Sequence, residues 1–274
     1  MNSLTELPSE RQCHIQLFKI IWGDTICPDC NECKLKFTNK YAWCGRCRKK
    51  YYARSQTPFK NSKLSFQKIW LLIWCWQKKK SVDTIRDVVG ISYPTIRRWV
   101  RRLRSALPKD SSILCGNIAA DESFIGKRKY GKQRIVMGAI ERFNQPDTNK
   151  RRVRLSIIRD REMETLEPWL LERVAGGSHI DTDLHGGYSE LKWIGYSHNA
   201  HNHSKGEFSS TNTIEGFWSV LKRSLRKLYN NRLAFSEQDL GLILIEWENR
   251  HNNPKLFYNV ANYLFYADCS GLVH

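Results

Sequence analysis

The stretch ILCGNIAADESFI, Ile113 to Ile125, reads as a β-strand that carries two acids, Asp121 and Glu122. Two more strands follow it, RIVMGAIER from Arg134 to Arg142 and RVRLSII from Arg152 to Ile158, and the three form a meander. Met163 to Val174 reads as a helix. HIDTD, His179 to Asp183, is a short strand ending in acids, after which His185-Gly186-Gly187-Tyr188 turns the chain. Lys192 to His198 is expected to be another short strand, and Thr213 to Leu228 and Ser236 to Arg250 two helices.

Three antiparallel strands followed by helix, strand, helix, strand, helix is the ribonuclease H-like order, an α/β arrangement whose first strand lies in the sheet centre. On that topology Asp121 on the first strand and Asp183 at the end of the fourth become neighbours. Asp181, two residues earlier, is an alternative to Asp183. SSTNTIEGFWSVLKR, Ser209 to Arg223, lays Asn212, Glu215, Ser219 and Lys222 along one helix face and Ile214, Phe217, Trp218 and Leu221 along the other. Glu215 can then aim its carboxylate at both aspartates. Three carboxylates in one place repel one another unless a cation neutralises them, which implies Mg²⁺ or Mn²⁺. Two such ions about 3.5–4 Å apart can activate an attacking oxygen and stabilise a leaving one at a phosphodiester. Lys222 is placed to hold a DNA phosphate beside them.

The chain has 274 residues and a net charge of +18, unevenly spread. Residues 1–110 hold 23 Lys and Arg against 8 Asp and Glu, while the remainder holds 22 against 19. A cationic front points to a polyanionic partner. No stretch reaches the roughly 18 apolar residues of a membrane span. Cys27-Pro-Asp-Cys30 and Cys44-Gly-Arg-Cys47, separated by 13 residues, have the spacing of two knuckles that complete one tetrahedral zinc site. Cys33 is a surplus thiol that could replace Cys30, although the symmetric pairing favours Cys30, and Cys13, Cys75, Cys115 and Cys269 read as buried small residues. Beyond this zinc ribbon, Ser65 to Lys78, Ser81 to Val89 and Tyr93 to Leu107 read as three helices with a Gly90-Ile91-Ser92 turn before the last. Ile96, Trp99, Val100 and Leu103 face inward, and Arg97, Arg98, Arg101, Arg102 and Arg104 make the other face, the pattern of a DNA-binding helix-turn-helix. The expected domains are a zinc ribbon with its leading segment (1–60), a helix-turn-helix module (61–108) and a ribonuclease H-like catalytic domain (113–274), with Pro108 to Ser112 as the linker.

DESFIGKRKYGK (Asp121 to Lys132), MGAIER (Met137 to Arg142), TDLHGGY (Thr182 to Tyr188), HNAHNHSKGEF (His198 to Phe208) and TNTIEGFWSVLKR (Thr211 to Arg223) together resemble the Merlin-type DNA transposases and their bacterial insertion-sequence relatives. The resemblance implies a DDE transposase that cuts and pastes its own element, with Asp121, Asp183 and Glu215 as first, second and third acids. Lys222 matches the lysine seven positions after the third acid in many such enzymes. Some bacterial relatives use Asn as the third ligand, so Asn212 competes with Glu215. Where the family often has His, this chain has Ser210. His198, His201 and His203 are candidates for proton transfer or DNA contact. The implied partners are double-stranded DNA, as terminal inverted repeats and target, and further copies of the chain in a synaptic homodimer or larger assembly. The implied location is the nucleus for a eukaryotic element, otherwise the bacterial cytoplasm. A catalytically idle DNA-binding regulator and a ribonuclease H-like nuclease are the alternative functions.

Overall fold

The structure, a computed structural model, describes residues 8–57, 59–128, 131, 133–142, 151–201 and 212–258. His203, Ser210, Cys269 and parts of the DESFIGKRKYGK, HNAHNHSKGEF and TNTIEGFWSVLKR motifs lie outside the described residues. The chain forms two compact units. One runs to Ala106 and includes the described residues from Lys255 onward; the other spans Leu107–Pro254. No described helix is long and apolar enough to cross a membrane.

The first unit opens with α1 (Glu10–Trp22), started by a capping box in which Ser9 and Gln12 satisfy each other's backbone N–H groups. Three two-residue strands, β1 (Lys36–Phe37), β2 (Ala42–Trp43) and β3 (Lys50–Tyr51), make a small antiparallel sheet. Helices α2 (Phe66–Gln77), α3 (Val82–Val89) and α4 (Tyr93–Ser105) follow. Ser81 caps α3, Ser65 caps α2 rather than beginning it, and Gly90 ends α3 in the left-handed region at φ 64°. On α4, Ile96, Trp99, Val100 and Leu103 are buried, while Arg97, Arg98, Arg101 and Arg102 are exposed. Arg104 departs from the expected solvent face and is buried, because it lies one turn beyond the inward Val100, at the margin of the apolar face.

The second unit is built on a five-stranded mixed sheet. Its strands are β4 (Asn117–Ile125), β5 (Arg134–Glu141), β6 (Val153–Ile158), β7 (His179–Asp183) and β8 (Ser197–His201), in the order β6-β5-β4-β7-β8. The first strand therefore lies at the centre, antiparallel to β5 and parallel to β7. Helix α5 (Met163–Arg173) lies between β6 and β7 in sequence, and α6 (Asn212–Leu228) and α7 (Glu237–Asn252) close the unit. Strand alternation divides two cores. Ala119, Val136 and Ile140 pack with Trp218, Leu221 and Leu244 of α6 and α7, while Ile118, Ala120 and Met137 pack with Leu166, Leu170 and Tyr188.

Three expectations shift. The central strand starts at Asn117 rather than Ile113, because Leu114 instead bridges Val174 and Gly116 turns at φ 84°. The last strand is Ser197–His201, not Lys192 to His198, since residues 189–195 are consumed in turns. The stretch Pro108 to Ser112 is bound to its own unit: Asn249 donates to the Pro108 carbonyl, and Asp110 accepts from Asn252 and pairs with Arg154.

One backbone position sets how closely α6 can approach the sheet. A Cβ on Gly138 would lie 2.5 Å from Trp218 Cζ2 and 3.2 Å from Leu155 Cδ2. Gly138→Ala is therefore expected to cost about 1–3 kcal/mol by overpacking, read as a lower urea midpoint for this unit. An unchanged midpoint would mean that the indole ring gives way freely.

Candidate active site and metal centre

The sheet brings together residues far apart in sequence. Asn117, Ile118 and Ala119 pair with His179, Ile180 and Asp181, and the same register two residues on sets Asp121 beside Asp183. Carboxylate oxygens of Asp121, Glu122 and Asp183 lie within 4.8 Å of one another. Asp121 faces the α6 side with Ala119, whereas Glu122 points to the other core, where it is buried and accepts a hydrogen bond from the Tyr188 hydroxyl. Arg161 links the two sides: its Nε donates to Glu122 at 2.8 Å and its Nη2 to Asp183 at 3.4 Å.

Electrostatics mark Asp121 as the strained member. Burial, followed by the negative charges of Glu122, Asp183 and Glu215, pushes its carboxyl up to about 7. A group in that state gains by taking up a proton or a cation. The donor set suits a hard cation, since carboxylate oxygens converge on one small volume. Glu215, in the first turn of α6, is near enough to contribute to that repulsion but is not within the 4.8 Å group. Asn212 is the first residue of α6 and is exposed. Lys222 is half-buried. Burial lowers its pKa and the nearby Asp121 charge opposes that, so its ammonium is close to the acids.

Asp181 is engaged elsewhere. Its buried carboxylate pairs with Arg142 Nη1 at 2.5 Å and with His201 Nε2 at 2.8 Å. Burial alone would raise its pKa, but those hydrogen bonds hold it below the ordinary value. His198 is buried against the Thr182 hydroxyl, 2.9 Å away. Both histidines thus brace β7.

In the first unit, the Sγ atoms of Cys27, Cys30, Cys44 and Cys47 all lie within 4.8 Å of one another, and the group could hold a metal ion. Cys33 is outside it, its carbonyl accepting from the Cys27 amide. The Tyr51 hydroxyl lies 3.0 Å from Cys27 Sγ and donates to Asp29 at 2.7 Å, which ties β3 to the first knuckle. Cys13 and Cys75 are buried as expected; Cys115 is only partly so and lies beside Arg152.

Sequence reasoning misses Arg161 and Tyr188 as site residues and takes Glu122 only as a neighbour of Asp121. The HGGY turn is a usable signal for Tyr188, and nothing local singles out Arg161.

Residues 113–234 match the family of the ISXO2-like transposase domain, which covers most of the second unit. The match supports an insertion-sequence transposase. A search of the curated proteins found no match. Ten chains of solved structures are similar. One belongs to the cryo-EM structure of a simian T-cell lymphotropic virus intasome in complex with PP2A regulatory subunit B56 gamma. It is 14% identical at a TM-score of 0.36, over 67% of this chain and 69% of that chain.

Proposed function

We propose that the chain is a DDE-type DNA transposase with a ribonuclease H-like catalytic unit, which binds the terminal inverted repeats of its element, cleaves the ends and joins them to target DNA. The observation that carries this reading is the convergence of Asp121 and Asp183 within a segment that matches a transposase domain. Merlin-type kinship is the narrower form of the proposal. A structural Zn²⁺ on the four cysteines and Mg²⁺ or Mn²⁺ on the acids are its cofactors. In favour of zinc, the Cys27–Cys47 and Cys30–Cys44 sulfur separations are both 3.9 Å. A tetrahedron with Zn–S near 2.3 Å requires about 3.8 Å.

Asp121 and Asp183 would hold the divalent ions, with Glu215 approaching from α6. When bound, those ions supply Lewis-acid activation of the attacking oxygen and charge neutralisation at the leaving oxygen. Arg161 keeps the Asp183 carboxylate oriented towards the sheet centre while restraining Glu122. Lys222 offers a cation to a DNA phosphate lying against the acids. The exposed arginines of α4, read as the second helix of a helix-turn-helix, would bind the DNA of the element ends. Joining two ends requires both to be present at once, which favours a homodimer or larger assembly.

The test is labelled duplex DNA carrying the element's own ends, incubated with the chain and Mg²⁺. Strand transfer supports a transposase, cleavage without joining a nuclease, and binding alone a regulator. Within that assay, Glu215→Gln is expected to lower cleavage by about 10²-fold or more, the effect of losing a charge that stabilises the transition state. Asn212→Ala should be milder, since an amide holds Mg²⁺ less well than a carboxylate. The reverse ordering would make Asn212 the third ligand and Glu215 a supporting residue.

A further inference from the structure

A groove of about 390 Å³ lies in the first unit, between residues 61–64 and one side of α4. Its charged lining is Lys63, Arg98 and Arg102, joined by the polar side chains of Asn61, Ser62 and Thr95, with no acid among them. Among the described residues none of the three cations forms a salt bridge to an acid. The walls are held in place independently of any ligand. Phe59 stacks on Trp99 with ring centroids 4.5 Å apart, which fastens the segment before the groove to α4. Arg54 Nη1 donates to the Ser62 carbonyl at 2.9 Å, and the Ser62 hydroxyl accepts from the Leu64 amide at 3.1 Å. Arg102 Cζ lies over the Trp99 ring, 4.9 Å from its centroid, so the same indole that Phe59 stacks on also holds this guanidinium.

Three cations converging without a counter-charge repel one another, and a preformed groove keeps them from spreading apart. An anion relieves that repulsion, and the hydroxyls and the Asn61 amide supply donors for its oxygens. Three cations and three hydrogen-bonding side chains on one lining, with no acid, suit a backbone phosphate better than a base edge. Around α4, Arg98 and Arg102 are one turn apart and form a strip separate from Arg97 and Arg101, which do not line the groove.

We infer that this groove is a phosphate clamp for duplex DNA, in which Lys63, Arg98 and Arg102 grip the sugar–phosphate backbone and fix the register of α4. The inference rests on the DNA-binding reading of this unit and divides its arginines: the Arg98/Arg102 strip positions the duplex, and sequence reading is left to other residues. Lys63 becomes a binding residue although it lies outside α4.

The experiment measures affinity of the full chain for a random-sequence 20-base-pair duplex across a sodium chloride series. The unsubstituted chain should show a steep linear fall of log K with log salt. Arg98→Gln/Arg102→Gln, and separately Lys63→Gln, should each flatten the slope by about 1 for every phosphate no longer gripped. Arg98→Lys/Arg102→Lys, which keeps the charge, should retain most of the slope. Bound metal and circular dichroism confirm folding, and the exposed single Lys63→Gln keeps the test decisive should the double variant misfold. If the unsubstituted chain binds duplex with a steep slope and the Gln variants keep it, the clamp is overturned while the DNA reading stands. If the unsubstituted chain does not bind duplex, both fall. Binding of inorganic phosphate with no change in the duplex slope would make the groove a free-anion site and also overturn the clamp.

Discussion

Asp121→Asn is expected to lower Mg²⁺-dependent DNA cleavage by about 10²–10³-fold or more while leaving the fold and DNA binding intact. Asn is nearly isosteric with Asp, so the central strand should keep its register; what disappears is the charge that holds the cation. The same substitution has a second, opposite readout. The Asp121 carboxyl sits at about 7, above its ordinary 3.8, because burial and the charges of Glu122, Asp183 and Glu215 disfavour its ionised form. Between those values the folded chain holds a proton that the unfolded chain has released. Its contribution to stability is therefore present at low pH and lost as pH rises towards about 7. In chelator-treated protein at pH 8, Asp121→Asn should thus be more stable than the unsubstituted chain, by on the order of 1–4 kcal/mol. That gain should vanish near pH 4. A variant that loses cleavage and stability together at pH 8 would show that Asp121 supports the fold, not the chemistry.

If the four cysteines hold zinc as proposed, Cys44→Ser should release it and unfold the ribbon, because the strands around it are only two residues each and cannot hold themselves. In small zinc modules metal binding contributes about 10–16 kcal/mol of apparent folding free energy, so its loss is decisive. α1 should lose part of its packing as well, since Phe18 meets Phe37 and Tyr51 edge-on. Elemental analysis should find one fewer metal ion per chain, and near-ultraviolet dichroism should report the freed aromatics. The thermal transition of the second unit should not move. A Cys44→Ser chain that keeps its metal and its DNA affinity would sink the zinc assignment.

The elements legible in the sequence are those whose cause lies within a few residues. Ser65 and Ser81 cap helices because a side-chain oxygen reaches an amide three residues on. The two C-x-x-C pairs bring four sulfurs together because each knuckle is a tight local turn. Even the sheet order follows from the succession of strands and helices, since short connections leave few topologies. Departures fall where the local pattern is ambiguous. Residues 192–195 have strand-like composition, yet they lie in turns, and the strand begins only after Tyr196, whose hydroxyl donates to the Val174 carbonyl.

What the sequence determined by itself is therefore the element order, the cysteine cluster, the cationic front and the pairing of Asp121 with Asp183 on neighbouring strands. What only the tertiary structure decided is which other groups meet them. Glu122 is next to Asp121 in the chain but on the opposite face of the sheet, where its carboxylate accepts from Arg161 and Tyr188 and still lies within 4.8 Å of the other acids. Tyr188 is 66 residues away from it in sequence. Arg104 lies at the margin of the apolar face of α4, where helix geometry alone leaves burial open; packing against the helix covers it, while Arg101 and Arg102 stay exposed. The groove beside that helix likewise combines Lys63 with Arg98 and Arg102, from a segment whose Phe59 stacks on Trp99. The physical reason is common to all three. Local spacing is set by backbone geometry that every chain shares, whereas contacts between distant residues depend on register and packing that exist only once the whole unit has closed.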